Sequence, residues 1–166
     1  GLYKDYIAPK DEIINLNFYE KAKAVLCQSN MHMEIINKNT NLNNLINLSG
    51  NLWSAKSLEH MREISRKSKV DKYCILASIV GHKNTLDAIK YCKIKKHDYV
   101  LVSDLNYYNF LSKMGNNKTF VFFPQTPETL SRVTVEARMM GMSTIVNGKI
   151  GASKEPWFKF KGECLI

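Results

Sequence analysis

The chain has 166 residues, a hydrophobic fraction of 45% and a formal net charge of +9 at pH 7. This length suits one domain with a buried core, and the composition is that of an ordinary globular protein, which excludes disordered and fibrous classes. The longest apolar runs are far shorter than the ~20 residues that span a bilayer, and no export signal is recognisable, so the sequence predicts a cytoplasmic protein.

Short apolar segments alternate along the chain with segments of helical periodicity. The predicted strands are residues 24–27, 45–48, 73–78, 99–103, 119–123 and 144–146, and the predicted helices are residues 18–23, 53–67, 84–93, 106–114 and 128–140. Strands that are apolar on both sides are typical of a parallel sheet covered by helices. The pattern predicts an α/β fold, a Rossmann-like doubly wound parallel sheet of about six strands with helices on both faces.

The positive charge allows two interpretations. One is binding of nucleic acid, because clustered lysines and arginines release counterions from phosphates. The other is solubility, together with attraction to anionic ligands or to the inner membrane surface as a peripheral contact. The lysines are dispersed and no arginine-rich run is present. The sequence therefore favours the second interpretation and predicts no nucleic-acid partner.

The cysteines are widely scattered. Cys27, Cys74 and Cys92 lie in apolar segments, where a thiol behaves as a small hydrophobic side chain, and Cys164 lies near the end of the chain. We expect buried or unreactive thiols in a reducing compartment.

The segment after the fifth predicted strand, residues 124–137, combines a loop, a helix start and two carboxylates. Thr126 is predicted as the N-cap and Pro127 as the first helical residue. Glu128 and Glu136 would then lie ~12 Å apart along one helix, too far for the paired carboxylates of a glycosidase. This spacing suits a ligand laid along the helix. Alternatively, Glu128 only stabilises the helix dipole and Glu136 is solvated.

Glu128 and Glu136 are separated by seven residues, follow a strand that ends at Pro124 and precede a turn at Gly141. This arrangement resembles the Glu-seven-Glu motif of retaining glycosyltransferases, above all glycosyltransferase family 4 (group 1), whose two-domain fold is called GT-B. Residues 19–29 are similar to the start of the C-terminal domain in that family.

The resemblance implies two parts of the chain and a set of roles. Residues 1–23 would be a leading helix and linker from a missing N-terminal domain, and residues 24–166 the nucleotide-sugar-binding domain. Glu128 would act at the donor sugar as the catalytic residue, and Glu136 would accept hydrogen bonds from the ribose hydroxyls. The backbone amides of three further residues would face the diphosphate, namely Thr129, Leu130 and Ser131.

A second matching segment is Gly81-His82-Lys83-Asn84, where the family has a lysine that contacts the diphosphate. Lys83 is the predicted phosphate ligand, with His82 and Asn84 as neighbouring donor-binding candidates; the alternative for Lys83 is a solvated surface lysine. Two departures from the family matter. The arginine that usually precedes the lysine is absent from residues 77–80. One strand–helix unit before Glu128 is also missing, and because that unit normally helps to hold the nucleobase, the identity of the base is left open. The glycine-containing loop 148–153 is a weaker candidate for backbone approach to a ligand.

The implied activity is transfer of a hexose from a nucleoside-diphosphate sugar to an acceptor hydroxyl, in glycan or polysaccharide biosynthesis, with retention of configuration. No cofactor besides the donor substrate and no metal is expected, since no Asp-x-Asp cluster is present. Because 166 residues are about half of a GT-B enzyme, we expect this chain to be inactive by itself. A stand-alone nucleotide-sugar-binding module and a basic nucleic-acid-binding domain remain the alternatives. We also expect Glu136→Ala to abolish stabilisation by the ligand without changing the melting temperature of the unliganded protein.

Overall fold

The structure, a computed structural model, describes residues 16–166, so most of the predicted leading segment 1–23 lies outside the described residues. Within the described range, helices and strands alternate. The helices are α1 (Leu16–Glu20), α2 (Asn30–Asn39), α3 (Ala55–Ser65), α4 (Thr85–Ile94), α5 (Tyr107–Gly115) and α6 (Arg132–Met139). The strands are β1 (Val25–Cys27), β2 (Leu45–Asn47), β3 (Val70–Leu76), β4 (Tyr99–Val102), β5 (Asn117–Phe122) and β6 (Ser143–Val146). All six predicted strands are present.

The strands form two parallel sheets. Four of them are arranged in the order β4-β3-β5-β6, and β1 pairs with β2. The α/β fold with parallel pairing is therefore confirmed, whereas the six strands do not form one continuous sheet. β1 and β2 have three residues each and hydrogen-bond as strands only to each other within the part of the chain that the structure describes.

Helices cover both faces of the four-stranded sheet, as predicted. On one face, Phe120 and Phe122 of β5 are buried in a cluster with side chains of α3, α5 and α6. On the other face, Val121 is buried against Ala88 and Cys92 of α4. Successive residues of β5 point to opposite faces, so these apolar side chains are removed from water on both sides of the sheet. Complete burial of a large apolar side chain contributes roughly 1.5–3 kcal/mol to stability. This double coverage explains why β5 is apolar on both sides.

Helix α2 was not predicted from the sequence. Ser29 is its N-cap and accepts a hydrogen bond from the backbone N–H of His32 at 3.1 Å. Ile36 is the buried residue of the helix and packs with Val25 and Cys27 of β1. The segment is rich in asparagine, which has low helix propensity, so its helical state depends on the cap and on packing against the small sheet.

Helix α6 begins at Arg132, four residues after the predicted start. The N–H of Glu128 donates to the carbonyl of Lys149 at 2.8 Å, and the carbonyl of Glu128 accepts from the N–H of Gly151 at 2.9 Å. Residue 128 thus forms a parallel bridge to the chain that follows β6. Ser131, the residue before the helix, has a left-handed φ of 69°.

The prediction that Glu128 and Glu136 share one helix is therefore wrong. Thr126 and Pro127, predicted as the N-cap and first helical residue, precede the bridge and lie outside α6. The local sequence is typical of a helix start. However, the backbone N–H and carbonyl of Glu128 form their hydrogen bonds with a segment some twenty residues away, instead of within a helix.

Three cysteines, Cys27, Cys74 and Cys92, are buried as predicted, and Cys164 is exposed. Burial raises the pKa of the Cys74 thiol to about 12, which keeps it protonated and unreactive near neutral pH. Among residues 16–166, no helix combines the length and the apolar character that crossing a bilayer requires.

Lys69 stabilises the end of helix α5. Its Nζ donates to the carbonyl of Gly115, the last residue of α5, at 2.7 Å, and burial lowers the pKa of the amine. We expect Lys69→Met to lower the free energy of unfolding by about 1–2 kcal/mol, because a helix-end carbonyl loses a charged donor. Lys72→Met is the control, since Lys72 forms an exposed ion pair with Asp98. Equal stability of the two variants in urea unfolding would contradict this expectation.

Candidate functional site

A cleft of about 440 Å³ lies at the carboxyl ends of the strands. Residues 128–133, which comprise the end of the loop after β5 and the first two residues of helix α6, form one of its walls. The other lining residues come from the last residue of β3, from the segments that follow β1, β2 and β3, and from α5, and they are Gln28, Asn51, Leu76, Lys83 and Phe110. Clefts beyond the carboxyl ends of parallel strands are where α/β proteins bind their ligands.

Two predicted site residues, Lys83 and Glu128, meet in this cleft. The Lys83 Nζ lies 2.7 Å from the Glu128 Oε1, although the residues are 45 positions apart. Both side chains are partly buried, with 28% and 17% of their surfaces exposed. The loops that carry them are joined by a hydrogen bond of 2.8 Å from the N–H of Gln125 to the carbonyl of His82. The predicted alternative of a solvated surface lysine does not describe Lys83.

Residues Thr129, Leu130 and Ser131 line the same cleft. The backbone N–H groups of these three residues donate to no other described residue. The carbonyl of Thr129 accepts from the Ser29 Oγ, and its hydroxyl donates to the Gln28 Oε1 at 2.6 Å. The segment is thus held by its carbonyls and side chains, whereas its three backbone N–H groups have no protein acceptor among the described residues.

Glu136 lies in a different place from Glu128 and does not line the cleft. It is 4% exposed, and its Oε1 accepts from the Trp53 Nε1 at 3.0 Å and from the Tyr107 hydroxyl at 2.8 Å. Burial and the adjacent Glu136 carboxylate raise the pKa of Tyr107 to about 12, which keeps the phenol protonated as a donor. The predicted bond from Glu136 to a ribose stays a prediction, and in this structure the side chain already anchors two aromatic residues.

His82 and Asn84, predicted beside Lys83, do not line the cleft. The His82 side chain is exposed. The Asn84 Nδ2 donates to the Phe123 carbonyl at 2.9 Å, and the residue has a left-handed φ of 55°. Asn84 therefore fixes the loop between β3 and helix α4, and of this tripeptide only Lys83 reaches the cleft.

Sequence reasoning missed Arg132 as a cleft residue. Its side chain is 50% exposed, and the guanidinium lies 4.9 Å from the centre of the Trp53 ring. Arg132 is the first residue of α6, where a cation faces the positive end of the helix dipole. An unfavourable charge at a helix start would have been a signal for function, but the predicted start at Glu128 placed Arg132 in the second turn.

The loop 148–153, predicted as a weak ligand-approach site, has a packing role at Gly151. A Cβ at this position would lie 2.0 Å from the Thr129 carbonyl oxygen and 2.5 Å from the Ser29 Oγ. The absence of a side chain lets the segments after β1, β5 and β6 touch, and this contact holds the wall of the cleft.

Among residues 16–166, no group of three or more histidine, cysteine, aspartate or glutamate side chains is placed to hold a metal ion. The sequence matches no protein-family model, and no match was found among curated proteins. The function of the cleft therefore has to be inferred from its own residues.

Proposed function

We propose that this chain is the donor-binding domain of a retaining glycosyltransferase with a Rossmann-like, doubly wound GT-B domain. One observation supports this proposal above all: Lys83 and Glu128 meet at 2.7 Å beside the unpaired amides of residues 129–131, at the carboxyl ends of parallel strands. A cation, a run of N–H donors and a carboxylate are the groups that a diphosphate and a sugar hydroxyl need.

The unliganded ion pair has a role in this proposal. Glu128 neutralises Lys83 while the cleft is empty of donor, and a diphosphate competes for the same ammonium group with more charge and with additional N–H donors at residues 129–131. Binding of the donor would release the Glu128 carboxylate to accept hydrogen bonds from the sugar. The pair is therefore a pre-arranged site whose two halves face the two parts of a nucleoside-diphosphate sugar.

The proposed reaction breaks the bond between the anomeric carbon and the diphosphate oxygen and forms a bond between that carbon and the acceptor oxygen. The acceptor proton passes to the departing diphosphate. Lys83 and the amides stabilise the charge that develops on the leaving group, and Glu128 positions the sugar. The acceptor would be bound largely by a separate N-terminal domain, so we expect no transfer by this chain alone. A cytoplasmic location and a peripheral contact with anionic membrane remain parts of the proposal.

Thermal unfolding with a panel of nucleoside-diphosphate sugars tests donor binding. A ligand at a hundredfold its Kd adds about 2.7 kcal/mol to the free energy of unfolding. We expect Lys83→Gln to weaken binding of the best ligand by roughly tenfold or more, because a charged hydrogen bond to phosphate is lost. Lys118→Gln removes an exposed pair with Asp71 at the amino ends of β5 and β3, opposite to the cleft, and should bind like the unaltered protein.

Glu128→Gln tests recognition of the sugar independently of recognition of the diphosphate. This variant should still bind a nucleoside diphosphate, since Lys83 is freed, but it should lose the preference for the sugar-bearing form. Stabilisation by no member of the panel, together with salt-sensitive binding to DNA or RNA, would contradict the proposal. Donor binding without transfer in any longer form of the protein would support the stand-alone binding module instead.

A further inference from the structure

The cations of the cleft are not equivalent. Among the described residues that line it, Lys83 and Arg132 carry positive charge. Lys83 is compensated by Glu128 at 2.7 Å. The carboxylate nearest to Arg132 is Glu136, whose Oε1 lies 3.9 Å from the Arg132 Nε and already accepts two hydrogen bonds. Arg132 also hydrogen-bonds to the Tyr107 side chain. Because a guanidinium has five N–H donors, Arg132 keeps donors for an anion in the cleft.

The Trp53 ring supports Arg132 and is itself held in place by Glu136 and Tyr107. The Arg132 guanidinium lies over the Trp53 ring at 4.9 Å, and the Trp53 indole is oriented by its N–H bond to Glu136. Glu136 is held in turn by the Tyr107 hydroxyl at 2.8 Å. A planar guanidinium supported on an aromatic ring keeps its outer N–H groups in a defined plane, which suits two-point binding of a phosphate.

The location of Arg132 also favours an anion. As the first residue of α6, it places a positive charge at the positive end of the helix, next to the unpaired amides of residues 129–131. These groups repel one another in the unliganded protein and share an attraction for the same negative group. An anion bound between them removes the unfavourable interaction.

We propose that Arg132 binds the second phosphate of the ligand and makes the cleft selective for diphosphates over monophosphates, with Trp53 and Glu136 as positioning residues. This inference rests on the proposed function. Lys83 and the amides then bind one phosphate, and Arg132 binds the other. In this role Glu136 acts through Trp53 and Arg132.

The test compares matched nucleoside diphosphates and monophosphates by isothermal titration. Arg132→Gln should lower the affinity for the preferred diphosphate by roughly 10- to 100-fold and the affinity for its monophosphate by less than about threefold. Arg132→Lys should restore little of the loss, because the planar fork and its stacking on Trp53 are missing. Arg62→Gln is the control: Arg62 forms an exposed pair with Glu59 on helix α3 and does not line the cleft.

Trp53→Leu tests the positioning role, since it removes the ring beneath the guanidinium without altering Arg132. The ratio of diphosphate to monophosphate affinity should fall in this variant, whereas a purely structural role would lower both affinities together. An Arg132→Gln protein that keeps the ratio of the unaltered protein would overturn the inference and leave the donor site intact. Failure of the unaltered protein to bind any nucleotide would overturn the proposed function and this inference with it.

Discussion

Replacing Glu136 with alanine is expected to lower the free energy of unfolding by about 1–3 kcal/mol, because the half-buried Trp53 indole and the Tyr107 hydroxyl lose a buried acceptor. The Glu136 carboxylate is 4% exposed and accepts from the Trp53 indole and the Tyr107 hydroxyl. The Tyr107 side chain is 37% exposed, so water can replace part of its lost bond, and most of the loss comes from the half-buried indole and from the cavity left by the side chain. Urea unfolding followed by tryptophan fluorescence measures the effect directly.

Glu136→Gln is the matched control. It keeps an oxygen at the position of Oε1 and a similar volume, so we expect most of the stability to return. The sequence alone led to the opposite expectation for Glu136→Ala, an unchanged melting temperature, because it placed this residue on the ligand side of a helix. An alanine variant as stable as the unaltered protein would mean that Trp53 and Tyr107 find other acceptors. This result would contradict the proposed positioning role of Glu136.

Gly151→Ala is expected to destabilise the protein by about 3 kcal/mol, at the upper end of the usual cost of overpacking. The added Cβ would lie 2.0 Å from the carbonyl oxygen of Thr129, which is backbone and is itself hydrogen-bonded to the Ser29 Oγ. The backbone carbonyl cannot rotate away as the end of a flexible side chain would. Because Thr129 belongs to the cleft wall, nucleotide binding should weaken together with stability.

Gly148→Ala is the control in the same loop. Among residues 16–166, apart from the two neighbours in the chain, no atom lies within 4 Å of the position that a Cβ would take at Gly148. The variant should therefore match the unaltered protein in thermal unfolding to within about 0.5 kcal/mol, as is usual for surface substitutions. Equal melting temperatures for the two glycine variants would show that the segments after β5 and β6 can separate without loss, and the close contact at Gly151 would not be what holds the cleft.

Lys83 and Glu128 are the two site residues that the sequence predicted and that the structure brings together. A resemblance in two short segments placed both residues at a donor, and the structure brings their charged groups to 2.7 Å in one cleft. Compared with the family, the chain lacks the arginine before Lys83, so one positively charged partner of the diphosphate is missing from that segment. Arg132 enters the cleft from a different segment, after β5, and no local pattern connects it to Lys83.

The sequence by itself determined the alternation of strands and helices, the apolar character of β5 on both sides and the burial of Cys27, Cys74 and Cys92. These features depend on periodicity and on the water-avoiding character of neighbouring residues, which are local properties. The tertiary structure alone decided where α6 begins, the division of the strands into two sheets, and the burial of Glu136 between two aromatic donors. Each of these depends on a hydrogen-bonding partner distant along the chain, so the choice between a local and a distant partner is made only when the chain has folded.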